Sequence, residues 1–424
     1  MQTALLALLL ALALPNAVPP PRVLLNRYPD PGSLSTQAMK QCLQLPTQLA
    51  CLQYQTELYE RANAGQQFAL GQILAPQASF LGRYRVAALV DPFKNTKNPG
   101  RGKPQPPPAT DHAVDAVEAI ARLARGRQLV LINEYHMDAS TRVLTTALLP
   151  RLYAEGFRYL AVEALTEHDV ALQERGYAIE GTGYYTREPV FADMLARAMR
   201  LGYTLVPYDV VARTQQHRED GQARNIYRRI FKSHPHARVL VHAGVAHIGE
   251  RPGNLPGNAQ PMAMRLHALT GIDPLTIDQT TLRANTGSPL RQDLVARYRP
   301  QHPVVIEDAQ AQPWSAYPGL YDITVLMPEV EHGAARPRWL SLYGSRHAVT
   351  VKAAWCKGKF PCAILARPES RKDDAIPSDC YALFGKTQRA SLYLSPGRYR
   401  VEARDADGLL LSRRNLTVPG EAQP

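Results

Sequence analysis

Between residues 129 and 328, short apolar runs alternate with stretches of helical periodicity, and this alternation restricts the fold more than any other feature of the chain. The runs are "LVLI" (129–132), "YLAVE" (159–163), "TLVPYD" (204–209), "RVLVHAG" (238–244), "PLTID" (274–278), "PVVIED" (303–308) and "DITVLMP" (322–328). A strand that is apolar on consecutive positions needs cover on both faces, which a parallel sheet with helical crossovers supplies. The intervening segments fit that need. Helices are expected from about Ser140 to Gly156, from Pro189 to Leu201 and through "ARNIYRRIF". Asp111 is placed to cap a helix with Val114, Val117, Ala121 and Ala124 on one face and Gly126 just past its end. The expected fold class is α/β: a mostly parallel, doubly wound sheet with helices on both faces, over residues 112–345.

The flanking segments have a different texture. Residues 35–74 space their apolar positions as a helical hairpin interrupted at Pro46, within an N-terminal helical region over 18–90. Residues 91–111, "DPFKNTKNPGRGKPQPPPATD", read as a Pro/Lys/Gly-rich linker. Over 346–424 short alternating strands ("HAVTVK", "PCAILAR", "RASLYLS", "GRYRVEARD", "LLLSRRNLTV") predict a small C-terminal all-β sandwich, with "DADG" (405–408) as a hairpin turn.

The 424 residues allow two or three domains, and the 45% hydrophobic content is enough for a substantial core. The net charge of +12 comes mainly from scattered arginine, with no basic helix or aromatic-interleaved stripe, so nucleic acid is not expected as a partner. The apolar run Ala4–Leu14, followed by Pro15 and small residues to Ala17, reads as a signal peptide over 1–17 with cleavage near Ala17. The expectation is a periplasmic or secreted protein with no transmembrane helix in its mature form. In such a compartment disulfides persist. Cys42 with Cys51, and two of Cys356, Cys362 and Cys380, are the natural local pairs, leaving one thiol over.

In an open parallel sheet, ligands bind at the carboxyl ends of the strands. Here the first run ends in Glu134 and His136, the second in Glu163, the third in Asp209, and the fourth in His242, Gly244 and His247. A lone acid or histidine at a strand end is usually a cap or an ion-pair partner, whereas four consecutive strands delivering such groups to one edge point to a cleft. Carboxylates beside imidazoles can hold a base that activates water, or a divalent ion with an open position. Neither His-Glu-x-x-His nor Gly-x-Ser-x-Gly occurs, which disfavours zincin and serine-hydrolase chemistry.

At these residues the chain resembles a known superfamily. "NEYHMDASTRVLTTALLPRLYAEGFRYLAVEAL" (133–165) is similar to the opening motif of the superfamily of erythromycin esterases, ChaN-like haem-binding proteins and TIKI/TraB metalloproteases, and "VHAGVAHIGE" (241–250) to its second Gly-x-x-His motif. "REDGQARNIYRRIF" (218–231) is similar to the Arg-Glu and Asn pattern that precedes the second motif. The resemblance implies roles for particular residues. His136 is implied as general base or metal ligand, Glu134 as its partner, Glu163 as the carboxylate orienting base or metal, and His247 as the second-motif histidine. Arg142 is implied as an anion-stabilising residue, against the alternative of a solvated helix arginine. A metal (Mn, Co or Zn) would be held by His136, Glu163 and His247. Asp209 and His242 join the cleft through their strand-end positions alone. Asn133 stands where the superfamily has glycine, and a turn there is expected to survive because Asn tolerates the left-handed conformation.

Three functions are compatible with these residues. One is an exported hydrolase that cleaves an ester or amide in a small molecule or peptide with water activated by His136, with or without a metal. The second is a haem- or metal-binding envelope protein without turnover. In the third, the cleft is degenerate and the C-terminal β-domain associates with the envelope.

Overall fold

The computed structural model describes residues 19–94, 99–284, 286–330 and 336–420. The expected signal peptide over 1–17 lies outside the described residues. Eight strands form one sheet: β1 (His112–Asp115), β2 (Leu129–Glu134), β3 (Tyr159–Val162), β4 (Thr204–Pro207), β5 (Val239–Gly244), β6 (Leu275–Leu282), β7 (Val304–Glu307) and β8 (Ile323–Leu326). Their order is β1-β7-β8-β6-β2-β5-β3-β4, and every pairing from β8 to β4 is parallel. Only the β1 and β7 edge pairs antiparallel.

Alternation along the strands divides the core in two. Val130, Ile132, Leu160 and Leu240 pack beneath the helices Ala116–Leu123, Thr141–Ala154 and Pro189–Leu201. Leu129, Leu131, Val239 and Val241 face the other way, under Gln215–Ile226 and its continuation to Phe231, and under Met262–Thr270. This two-sided cover is what the consecutive apolar residues require.

Two local expectations are corrected. The helix expected to start at Asp111 begins at Ala116, because residues 112–115 add to the sheet edge as β1. Asp115 is the cap, accepting from the Val117 and Glu118 amides. The expected linker over 91–111 packs, in its described parts, as a strap. Asp91 is buried and accepts from Tyr135 Oη at 2.7 Å, Arg101 Nε donates to Asn254 Oδ1 at 2.7 Å, and the Gln105 amide donates to Ala316 O at 2.8 Å. Composition does not reveal this, because the partners Tyr135, Asn254 and Ala316 lie far along the chain.

The N-terminal region folds as Pro21–Arg27, Pro31–Cys42, Gln48–Arg61, Ala64–Phe80 and Tyr84–Val90, with the expected interruption around Pro46 between the second and third helices. The Cys42–Cys51 disulfide spans that break, a second joins Cys356 to Cys362, and Cys380 is a buried free thiol. Near the C-terminus, β10 (Cys362–Pro368), β11 (Asp379–Leu383), β13 (Gly397–Asp405) and β14 (Leu410–Val418) form one antiparallel sheet, and β9 (His347–Val351) pairs with β12 (Ala390–Leu394). The two sheets share a core that includes Val351, Leu392, Ile364 and Val401. The outer face of the larger sheet is not free: Ala363, Cys380 and Ala382 pack on Leu49, Leu52 and Leu74 of the N-terminal helices. Among the described residues no helix is long and apolar enough to cross a membrane.

Candidate active site

Because β2, β5, β3 and β4 are sheet neighbours, their carboxyl ends lie in a row. Glu134 closes β2 and is almost wholly buried. A turn follows, in which the Tyr135 amide donates to Thr141 Oγ1, and it swings His136 back over the strand end. His136 Nδ1 and Glu134 Oε1 are 2.7 Å apart. Burial pushes the Glu134 carboxyl up, but the Arg142 guanidinium and His136 outweigh it and hold Glu134 well below the usual carboxylate range. An ionised carboxylate only accepts, so Nδ1 is the donor in this pair, and in the neutral imidazole the lone pair then sits on Nε2.

His136 Nε2 lies over the end of β5. A Cβ built on Gly244 would lie 2.9 Å from His136 Nε2 and 3.0 Å from Glu163 Oε2, so the two atoms are within about twice that distance of each other. Any side chain at 244 would occupy this gap, which explains why a glycine stands there. Glu163 Oε2 accepts from the Gly244 amide, and Oε1 lies 2.6 Å from Arg218 Nη2 and 3.3 Å from His247 Nε2. His247 is in turn bound through Nδ1 to Glu219, whose carboxylate also accepts from the Met262 amide. Burial would push the His247 imidazolium down, yet the Glu163 and Glu219 carboxylates raise it to about 10. Burial pushes the Glu163 carboxyl up, but His247, His136 and Arg218 outweigh it and hold it far below the ordinary range. Arg218 also forks onto Asp209, with Nε to Oδ1 at 3.0 Å and Nη2 to Oδ2 at 2.9 Å.

The structure therefore brings together His136, Glu134, Glu163, His247 and Asp209, and places two other expected residues differently. Arg142 is 1% exposed, neither solvated nor open to a ligand. Its Nε donates to Glu134 Oε2 at 2.7 Å, its Nη1 to Glu188 Oε2 at 3.1 Å, and its Nη2 to His136 O at 3.3 Å, so its donors are committed to positioning the Glu134–His136 pair. His242 is 1% exposed and lies beneath the cleft, its Nε2 3.6 Å from Glu134 Oε2, with Thr145 Oγ1 at 3.2 Å and Phe191 against its ring, so it contacts the buried carboxylate and not the open side of the site. Asn133 forms no left-handed turn. It is the penultimate residue of β2, where its side chain donates to Asp278 Oδ1 at 2.9 Å and accepts from the Gln279 amide at 2.9 Å, tying β2 to β6. Arg218, Glu219, Glu188 and Tyr185 also belong to the site, and of these only the first two have a sequence signal, in "RED" at 218–220.

Among the described residues no group of three or more His, Cys, Asp or Glu could hold an ion. As arranged, Glu163 and His247 neutralise each other beside the Arg218 cation, which leaves His136 as the remaining one of the three expected ligands. These residues do not fit a divalent ion without rearranging. Nor do they fit a haem, since the groups around His136 Nε2 are ion-paired and not an apolar wall.

The state of His247 has a consequence for stability. Its folded value, about 10, exceeds the ordinary 6.5. Its contribution is thus fully present below about pH 6.5 and is lost as pH rises through about 10. Differential scanning calorimetry is expected to show the wild-type melting temperature falling over this window, and His247→Gln, destabilised at neutral pH, falling less. Parallel curves would contradict the assignment.

No family model matches the chain, and no curated protein matches it. Among solved structures, that of the type III effector HopBA1 aligns with 43% of this chain and 89% of its own at 17% identity, with a TM-score of 0.30. A likeness at that level supports no inference about fold or function.

Proposed function

We propose that the chain is an exported hydrolase of the erythromycin esterase/TIKI-like type, cleaving an ester or amide bond with water activated by His136. The observation that carries the reading is the Glu134–His136 pair, whose free Nε2 faces Glu163 and, behind it, the cations Arg218 and His247. His136 Nε2 takes a proton from water as the water oxygen bonds to the carbonyl carbon. The imidazolium so formed is balanced by Glu134, which Arg142 keeps ionised. Arg218, the more exposed of the two cations, meets the negative charge that grows on the carbonyl oxygen, and Glu163, itself paired with His247, holds it in place. His136 then returns its proton to the leaving oxygen or nitrogen as that bond breaks. No step passes through a metal or haem.

Two disulfides, and the absence among the described residues of any helix able to cross a membrane, are consistent with an extracellular setting. Export through a signal peptide over 1–17 and envelope association through the C-terminal β-domain belong to the proposal. So do its substrate, a small molecule or peptide, and the absence of nucleic acid among its partners.

The test is a panel of small-molecule esters and peptide amides, assayed before and after exhaustive chelation, with an absorption spectrum of the purified protein. Hydrolysis that survives chelation is expected. Activity lost on chelation and restored by Mn, Co or Zn would replace this mechanism with a metal-assisted one. A Soret band without turnover would replace it with haem binding.

A further inference from the structure

His136 is held on its Nδ1 edge by Glu134 and on one ring face by Tyr185. The two rings are parallel, with centroids 4.2 Å apart and an interplanar angle of 16°. Tyr185 opens a short 3-10 turn, Tyr185–Arg187, at the end of the excursion that follows β3. That turn leads directly into Glu188, and both ends of the imidazole's support meet there. Glu188 caps the helix Pro189–Leu201 by accepting from the Val190 and Phe191 amides, accepts from Tyr84 Oη at 2.8 Å, and pairs with Arg142, which grips Glu134. Tyr185 also meets Tyr184 edge-on at 5.1 Å, and Tyr184 meets Phe80 in the same way at 5.3 Å. Gly183, just before these tyrosines, is pressed so closely on Ala164 O that a Cβ would sit 2.0 Å from it, which fixes the path of the loop.

We infer that Tyr185 is a positioning residue for His136, the stacked half of a closed brace running Glu134, Arg142, Glu188, Tyr185, His136. A carboxylate on Nδ1 fixes one edge of an imidazole but leaves it free to rock about that hydrogen bond. A parallel ring on one face removes the rocking and directs Nε2 into the gap beside Gly244. The stack also places a π-face against the ring that becomes cationic when Nε2 takes up a proton. The covered face is closed to ligands, so substrate reaches His136 from the opposite face or along the Nε2 edge. The inference rests on the reading of His136 as a base, but its first readout needs no turnover.

The experiment is ¹⁵N and ¹H NMR of the His136 ring in the full chain, in wild type, Tyr185→Phe and Tyr185→Leu, with turnover measured on whichever ester the wild type hydrolyses. Wild type is expected to show the two ring nitrogens as a protonated Nδ1 and an unprotonated Nε2, well separated, with ring protons shifted upfield by the Tyr185 ring. Tyr185→Phe should match it. Tyr185→Leu should lose the upfield shift, move the nitrogens toward a tautomer average and lower kcat by about 10- to 100-fold with little change in KM. A wild-type spectrum without the upfield shift overturns the inference, whatever the folding of the leucine variant. So does a folded Tyr185→Leu protein with the wild-type ring spectrum, or a Tyr185→Phe protein that behaves as the leucine variant does. A wild type in which Nε2 carries the proton would instead overturn the base reading and leave the stack standing.

Discussion

Arg142→Met is expected to destabilise the fold by about 3–5 kcal/mol at neutral pH, the usual cost of removing one partner from a buried charge network. The guanidinium is 1% exposed and donates to two carboxylates, Glu134 and Glu188, that are themselves buried. Methionine fills most of the volume but leaves both carboxylates without their cation. The loss should shrink as pH falls. Glu134 is held low in the native wild type, so its contribution is present above its ordinary value, about 4.5, and is lost on acidification; without Arg142 there is less to lose. Calorimetry of wild type and Arg142→Met from neutral pH down through pH 4.5 to about pH 3 checks both parts. A loss under about 1 kcal/mol, or one that grows on acidification, would mean that the pair Arg142 forms with Glu134 is not what holds that carboxylate ionised.

Arg142 also marks where reading from sequence alone stops. At the second position of a helix it looks like a surface arginine or an anion binder. It is neither, because Thr141–Ala154 is buried on nearly every side, with Phe191 of the neighbouring helix 4.7 Å from the guanidinium. Glu134, His136, Glu163, Asp209 and His247 were legible for a simple reason: each is a polar residue at or just past the end of an apolar run, and parallel strands put such ends on one edge. That logic needs only strand direction. It does not reveal which face of a strand a residue occupies, and so it assigns His242 to the cleft, although β5 turns it inward beneath Glu134. Nor can it reach residues brought in by loops. Glu188 and Tyr185 lie far along the chain from the groups they brace, and no local pattern marks them.

The fold divides along the same line. Consecutive burial on both faces, as in β2 with all six residues buried, leaves a strong local signature, so the parallel strands and their helices were predictable. The edge is only half legible: "PVVIED" announces β7 but not its antiparallel direction, and "HAVD", which is β1, reads as part of a helix. Asn133 is instructive in a different way. Its glycine-like place in a motif suggested a turn, but its side chain is a cross-strand link to Asp278 and Gln279, a contact made across the sheet by residues distant in sequence. Replacing it by glycine would remove those bonds from a buried site.

His136→Ala is expected to lower turnover by about 10²- to 10⁴-fold, the range for losing a general base, while the fold persists. The side chain is 25% exposed and at the end of a strand, so its removal leaves little cavity. What it strands is Glu134 Oε1, whose partner oxygen remains bonded to Arg142, so the loss in stability is expected to be on the order of 1 kcal/mol. Glu163→Gln should also slow turnover, by uncoupling Arg218 and His247 from the base. The decisive measurement is the specific activity of His136→Ala per folded molecule, with the rate on an ester that wild type hydrolyses and the melting curve taken from the same preparation. The account predicts a near-native melting temperature with turnover reduced by at least about a hundredfold. Wild-type specific activity in the folded variant would show that "NEYH" is architecture and that the chemistry, if any, lies elsewhere.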